Sequence, residues 1–265
     1  MNPIGVVICN YNKKDFVLQC VQSVLESKEK NFDIYVVDNA SSDGSAEALK
    51  KAYGNRITVI ENKENLGGSG GFNTGLRIVR DKGYSYFMCL DDDAAVDENA
   101  LSVLYHYMEE HTDTGMAGCR VYHTQMSDYI QQSGLLIDFD NCTAKTIGAD
   151  MPEDGSLPDV IECDTVATCA VMVRADTVKQ KGVGIMPEDN FIYWDDMEWG
   201  YRIKLAGYRV VTLAEAKALH QMGANTKKEN TFINYYMWRN RTNFFMRFTP
   251  EAQMEAMSVK VLGAV

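Results

Sequence analysis

Short runs of apolar, β-prone residues alternate with stretches whose apolar positions recur every three or four residues, and this alternation fills the first part of the chain. "GVVICN" (5–10), "FDIYVVDN" (32–39), "RITVIEN" (56–62) and "YSYFMCL" (84–90) read as strands. After the first, Phe16, Val17, Cys20, Val21, Val24 and Leu25 recur at helical spacing. Ser42 or Asp43 is a suitable N-cap for a helix running to about Tyr53. Phe72 to Val79 opens a third helix, and a fourth is predicted from about Glu98 to Glu110. Repeated β-α-β order implies a mostly parallel sheet covered by helices on both faces. Such sheets bind ligands beyond the carboxyl ends of their strands. Those ends are Asn10-Tyr11, Asp38-Asn39, Asn62 to Asn65 and Asp91 to Asp93, and every one is polar.

Beyond residue 110 the pattern changes. "MAGCRVY", "YIQQSGLLIDF" and "DVIECDTVATCAVMVR" read as strands of an antiparallel extension, with the turn-rich "DMPEDGSLPD" between them. "DMEWGYRIKLAG" (196–207) is a helix ended by Gly207, followed by the strand "YRVVTL". Residues 230–248 form an aromatic, arginine-rich helix, and a last short helix starts at Pro250.

Composition then narrows the classes. With 265 residues, 46% hydrophobic and 24% charged, the chain is an ordinary globular one with a substantial core. A formal charge of −11 argues against nucleic acid or another polyanion held on a general basic surface. A phosphorylated ligand then requires a metal ion or a local donor cluster. Seven cysteines, with no CxxC pair, read as reduced, mostly buried thiols of a cytosolic protein. The N-terminus has no basic region of the signal-peptide kind, and no apolar run approaches the ~20 residues that span a bilayer, so a soluble, cytoplasmic protein is expected.

Four stretches carry candidate chemistry. In "LDDDAAVD", continued strand geometry sends Asp91 and Asp93 to one side and Asp92 to the other. Two same-side carboxylates suit a hard divalent cation, which removes their repulsion; the alternative is a solvated turn capping the next helix. An EF-hand loop does not fit, because Ala95 stands where an oxygen ligand belongs. "ENLGGSGGFNTG" (64–75) lets backbone approach a ligand, but is neither a dinucleotide fingerprint nor a P-loop. Asp195 and Asp196 precede a helix, as N-cap residues do, with Trp194 and Trp199 beside them as sugar platforms or core. His220 lies just past a strand, as a ligand or a structural histidine.

Together with "VVICNYNK", "VVDNASSDGS" and "YYMWRNRTNFF", and in this order, these stretches resemble the family 2 glycosyltransferases, the inverting GT-A enzymes, and most closely their rhamnosyltransferase and galactofuranosyltransferase-like branch. The resemblance spans about residues 5 to 245. It implies a catalytic domain at 1–224, with a nucleotide-binding half (1–110) and an acceptor-binding half (111–224), followed by a C-terminal helical segment at 225–265. It implies transfer of a sugar from a nucleotide diphosphate donor, UDP- or dTDP-linked, to a hydroxyl of a glycan or lipid-linked acceptor in cell-surface polysaccharide synthesis.

Residue by residue, the resemblance implies that Asp38 accepts a hydrogen bond from the base of the donor, with Asn10 and Tyr11 against the same base. Asn65, Gly67, Gly68, Gly71 and Asn73 pack along the nucleotide and its sugar. Asp91, Asp93 and His220 hold Mn²⁺ or Mg²⁺ on the diphosphate, the imidazole favouring Mn²⁺; Asp92 turns to the ribose or supports the loop. Asp196 is the general base, and Asp195 raises the pKa of the pair by repulsion. Trp194 stacks on sugar, and Arg239 and Arg241 reach the diphosphate or a lipid headgroup. The aromatics and arginines of 232–248 offer either a peripheral membrane contact or simple packing under the site. A sugar nucleotidyltransferase and a catalytically silent sugar-nucleotide-binding module are the alternatives. The first lacks an N-terminal glycine-rich triphosphate loop, and the retained acids oppose the second.

Overall fold

The computed structural model describes residues 3–221 and 231–262; the 224/225 domain boundary expected above lies outside them. The strands are β1 (Ile4–Asn10), β2 (Phe32–Asp38), β3 (Thr58–Glu61), β4 (Tyr86–Asp91), β5 (Ala94–Val96), β6 (Thr114–His123), β7 (Met126–Gln132), β8 (Leu135–Asp138), β9 (Thr143–Thr146), β10 (Met151–Pro152), β11 (Val160–Glu162), β12 (Ala170–Arg174) and β13 (Arg209–His220). The helices are α1 (Lys14–Glu26), α2 (Ser45–Tyr53), α3 (Gly67–Lys82), α4 (Ala100–Glu110), α5 (Asp195–Leu205), α6 (Thr231–Phe248) and α7 (Met254–Leu262).

One large sheet runs β10-β7-β6-β12-β4-β1-β2-β3, with β13 also paired to β6, β11 and β5. The β-α-β half is parallel throughout, β3-β2-β1-β4. Beyond β4 the pairing turns antiparallel through β12, β6 and β7, and β13 returns parallel to β6. β8 and β9 form a separate hairpin. The apolar runs are buried on both faces, as parallel strands covered by helices must be. Ile4, Val6 and Ile8 of β1 pack with Val17, Val21 and Val24 of α1 and Leu101 and Leu104 of α4. Val7 faces the other way, with Leu76 and Val79 of α3 and Trp199 and Ile203 of α5. A third cluster joins Phe244 and Phe245 of α6 to Trp194 and Cys142.

Two local differences from the sequence reading matter for the site. The stretch expected to run on as one strand through "DVIECDTVATCAVMVR" is two, β11 and β12, and the connection between them brings Thr165 under α5. The glycine-rich segment is not a loop before a helix: it is the first turns of α3 itself. Its glycines permit close packing. A Cβ on Gly71 would lie 2.3 Å from the Cys9 sulfur, and one on Gly75 2.4 Å from Val7 Cγ1. Helix propensity disfavours this glycine-rich helix, and contact with β1 offsets that.

Gly75→Ala tests this packing. Alanine is the better helix former by about 1 kcal/mol, but overpacking a filled core costs about 1–3 kcal/mol. The urea midpoint of the variant is expected to fall; a rise would show that the α3–β1 interface has room to spare.

Candidate active site

The strand register sets the site before any side chain is considered. Asn10 pairs with Asp38 across β1 and β2, and Cys9 with Asp91 across β1 and β4, so the polar strand ends form one rim. β13 runs antiparallel to β5 with His220 opposite Ala94, and the Gln221 N–H donates to the Asp93 carbonyl at 3.2 Å. This ladder carries His220 to the aspartates across more than a hundred residues of sequence. β4 ends at Asp91, so a turn rather than strand alternation separates the three carboxylates. The outcome matches the alternation argument: Asp91 and Asp93 converge with His220, offering one ligand atom each within 4.8 Å of one another. Asp92 goes elsewhere, accepting from the Tyr11 N–H at 3.0 Å.

Electrostatics here are dominated by burial. Asp91 is raised by burial and by the charge of Asp93, against the pull of His220. Asp92 is pushed up to about 6, chiefly by burial, although Lys13 and the Tyr11 N–H oppose the rise. Asp93 is held below its ordinary value: burial would raise it, and His220 and Lys13 outweigh that. Burial would lower His220, but Asp93 and Asp91 raise it.

Lys13, which the sequence reading gave no role, supplies the opposite charge. Its Nζ lies 3.0 Å from Asp92 Oδ1 and 2.7 Å from Asp93 Oδ2. That uses only one oxygen of Asp93. The other, Oδ1, is buried without a hydrogen-bond partner and lies 3.2 Å from His220 Nε2. A carboxylate oxygen and an imidazole nitrogen facing each other this closely need a cation or proton between them. The donor set of two carboxylates and one imidazole fits Mn²⁺ or Mg²⁺.

The second acidic pair opens α5. The chain reaches it through Phe191, Tyr193 and Trp194, all at positive φ (63°, 65° and 63°), a conformation side chains rarely adopt. Asn240 of α6 holds this bend, its buried amide nitrogen 2.8 Å from the carbonyls of Asn190, Ile192 and Tyr193. Asp195 is buried, and Ser69 Oγ of α3 donates to its Oδ2 at 3.0 Å. Thr165 Oγ1 donates to the Asp196 carbonyl at 2.7 Å. Burial raises Asp195. Asp196 is pushed up to about 7 by burial and then by the charges of Asp195 and, more weakly, Asp91. The two acidic groups are therefore within electrostatic reach of each other.

The remaining expected residues divide. Tyr11 and Asn65 stand exposed on the rim, and a Cβ on Gly68 would sit at ordinary contact distance, 3.8 Å from Asp195 Oδ2. Asn10 and Asp38 are buried and bonded to each other at 2.9 Å, with Asp38 also accepting from the Ser41 N–H. Gly67 lies against the Phe191 carbonyl. Gly71 faces Cys9, and the buried Asn73 amide donates to the Met186 carbonyl and Glu188, so the structure gives both an internal packing role. Trp194 is buried against Phe244 and Phe245, and Trp199 lies deep in the core, so neither offers an open face. Arg239 is bonded to the Asp189 and Asn190 carbonyls and covers the Tyr236 ring at 4.7 Å; Arg241 covers Trp238 at 4.4 Å. α6 buries Phe244 and Phe245 and leaves Phe232, Tyr235 and Met246 exposed. Among the described residues, no helix is long and apolar enough to cross a membrane.

Comparison with known proteins places this geometry in context. Residues 5–168 match the family described as glycosyl transferase family 2. A teichoic acid poly(glycerol phosphate) polymerase of Staphylococcus epidermidis is 26% identical over 146 residues, 53% of this chain and 19% of the polymerase. An Escherichia coli UDP-Glc:alpha-D-GlcNAc-diphosphoundecaprenol beta-1,3-glucosyltransferase is 30% identical over 109 residues, 41% of this chain and 42% of that enzyme. The chain thus spans well under half the length of either relative. A Pyrobaculum calidifontis mannosyltransferase solved with GDP-Man and Mn²⁺ superposes with a TM-score of 0.64 at 15% identity, covering 98% of this chain and 69% of that one. S. aureus TarS solved with UDP-GlcNAc gives 0.64 and 15%, covering 98% and 71%. Likeness at this level establishes the fold, which is GT-A.

Lys13→Met should expose the balance of charge at the rim. Without the ammonium, Asp92 and Asp93 face no lysine, and the metal-free protein is expected to lose about 1–3 kcal/mol. Added Mn²⁺ should then raise the melting temperature more than it does in the wild type. Equal metal-induced shifts in the two proteins would rule out Lys13 as the resident counter-charge.

Proposed function

The chain belongs to glycosyl transferase family 2, and from that premise we propose that it moves a sugar from a nucleotide diphosphate donor to a hydroxyl of a glycan or lipid-linked acceptor, with inversion at the anomeric carbon. The observation that carries this reading is the pairing, at one sheet rim, of an aspartate–histidine trio with a buried acid pair whose Asp196 sits at about 7.

Asp91, Asp93 and His220 would hold a divalent cation, which would supply charge neutralisation for the departing nucleoside diphosphate. The protein's own residues do the rest. Asp196, deprotonated, accepts the proton of the acceptor hydroxyl as that oxygen bonds to the anomeric carbon from the face opposite the diphosphate. The bond from that carbon to the diphosphate oxygen breaks, and the nucleoside diphosphate leaves with its electron pair. Asp195, tied to Ser69, keeps a second acidic group beside Asp196 and holds its proton affinity up. The strained bend fixed by Asn240 sets where both acids stand. Tyr11, Asn65 and the Gly68 backbone, which lies beside Asp195, receive the nucleotide and its sugar. The donors that the resemblance favours are UDP-galactofuranose and dTDP-rhamnose, and the acceptor belongs to a cell-surface polysaccharide. A panel of nucleotide sugars screened by thermal shift with Mn²⁺ identifies the donor.

Three outcomes test the chemistry. Transfer should rise with pH on a limb centred near 7, because Asp196 becomes a competent base only as its carboxyl loses its proton. A limb centred in the ordinary carboxylate range, about 4, would remove Asp196 from the role. Asp196→Asn should fold and bind donor yet lose about 10²–10⁴-fold in rate. EDTA should abolish nucleotide-sugar binding in the wild type; undiminished affinity would overturn the metal role.

A further inference from the structure

His220 reaches the aspartates through the β13–β5 ladder, but the ladder does not decide which of its ring nitrogens carries the proton. That choice matters. Nε2 faces Asp93 Oδ1 at 3.2 Å and Asp91 Oδ2 at 3.7 Å. It can serve a cation only if its lone pair is free, with the proton on Nδ1.

Gln131 of β7 makes the choice. β7 and β13 both pair with the C-terminal part of β6, so Gln131 reaches His220 across the intervening strand. Its side chain is largely buried and meets His220 twice. Nε2 lies 3.1 Å from the His220 carbonyl oxygen, and Oε1 lies 2.7 Å from Nδ1. A backbone carbonyl only accepts, so the amide nitrogen must face it. The amide orientation is thereby fixed, and Oε1, an acceptor, must receive a hydrogen from Nδ1. A second contact agrees. His123 Nε2 lies 2.9 Å from Asp150 Oδ1, which fixes that nitrogen as the donor and leaves His123 Nδ1 as an acceptor 3.5 Å from the Gln131 amide nitrogen. The reversed amide would set oxygen against two acceptors.

We propose that Gln131 is a positioning residue that locks His220 with its proton on Nδ1 and so presents the Nε2 lone pair, already aimed, to the cation. The proposal rests on the metal reading of the site, but the tautomer itself exists without metal. With Nε2 unprotonated, it and Asp93 Oδ1, which has no other hydrogen-bond partner, are two lone pairs 3.2 Å apart that a cation would bridge. Partners of this kind, lying behind a ligating histidine, typically change metal affinity by about 10–100-fold.

The test uses the whole chain and two variants. Gln131→Leu removes the acceptor at Nδ1 with little change in size; Gln131→Glu keeps an acceptor there. ¹⁵N-edited NMR of the metal-free protein in EDTA, carried to alkaline pH until the His220 ring signals stop titrating, reads the neutral tautomer directly. Wild type and Gln131→Glu should carry the proton on Nδ1. In Gln131→Leu it should move to Nε2, where Asp93 Oδ1 becomes its acceptor. Titration with Mn²⁺ alone, followed by EPR of the free ion, should then show Gln131→Leu weakened by about 10–100-fold and Gln131→Glu not weakened. A Gln131→Leu protein that keeps the Nδ1 proton overturns the proposal, and so does one that changes tautomer with no loss of Mn²⁺ affinity. If Gln131→Leu does not fold, Gln131→Glu decides: a proton on Nε2, or Mn²⁺ affinity reduced despite the retained acceptor, overturns it. Wild type with the Nδ1 proton but no affinity for Mn²⁺ counts against the metal reading, not the tautomer lock.

Discussion

Repulsion among carboxylates at one end of the sheet is the constraint on which the site depends. Asp91, Asp92, Asp93, Asp195 and Asp196 gather where the parallel strands end, partly or wholly removed from water, and burial is the leading influence that raises most of them. Such a cluster persists only if the rest of the fold holds it in place and supplies opposite charge or hydrogen-bond donors. Lys13 and His220 are the charges; the Tyr11 N–H, Ser69 and the first N–H groups of α5 are the donors. They come from the β1–α1 turn, α3, α5 and β13, so the charge problem is solved largely by tertiary structure.

The same constraint separates what the sequence made legible from what it did not. Strand ends were readable because an apolar run that stops in Asp or Asn marks both the end of a buried strand and the start of a rim. The aspartate trio and the two acids before α5 were visible for that reason. Lys13 was not, since a lysine in a turn carries no signal until β1 and β4 lie side by side. Gln131 was hidden more deeply. Its partner is eighty-nine positions away, and only the return of β13 along β6 brings them together.

The glycine-rich segment misled for a local reason. Its residues are poor helix formers, so propensity places the helix start at Phe72, whereas close contact with β1 pulls the helix back to Gly67. Trp194 misled in the opposite sense. An aromatic beside paired acids resembles a sugar platform, but the positive-φ bend turns its ring under α6, and Asn240 keeps it there. Both errors arise where tertiary packing overrides a local preference, and both flank the acid pair.

Lys13 gives cation entry the character of an exchange. Its ammonium already rests on Asp92 and Asp93, so under the proposed metal role an arriving divalent ion would displace a tethered competitor whose effective concentration does not dilute away. The affinity for such an ion would then be a difference between two associations, weaker than the three ligands alone would give. Once displaced, the ammonium remains on a short leash at the rim, a second positive charge for whatever anion follows the metal in.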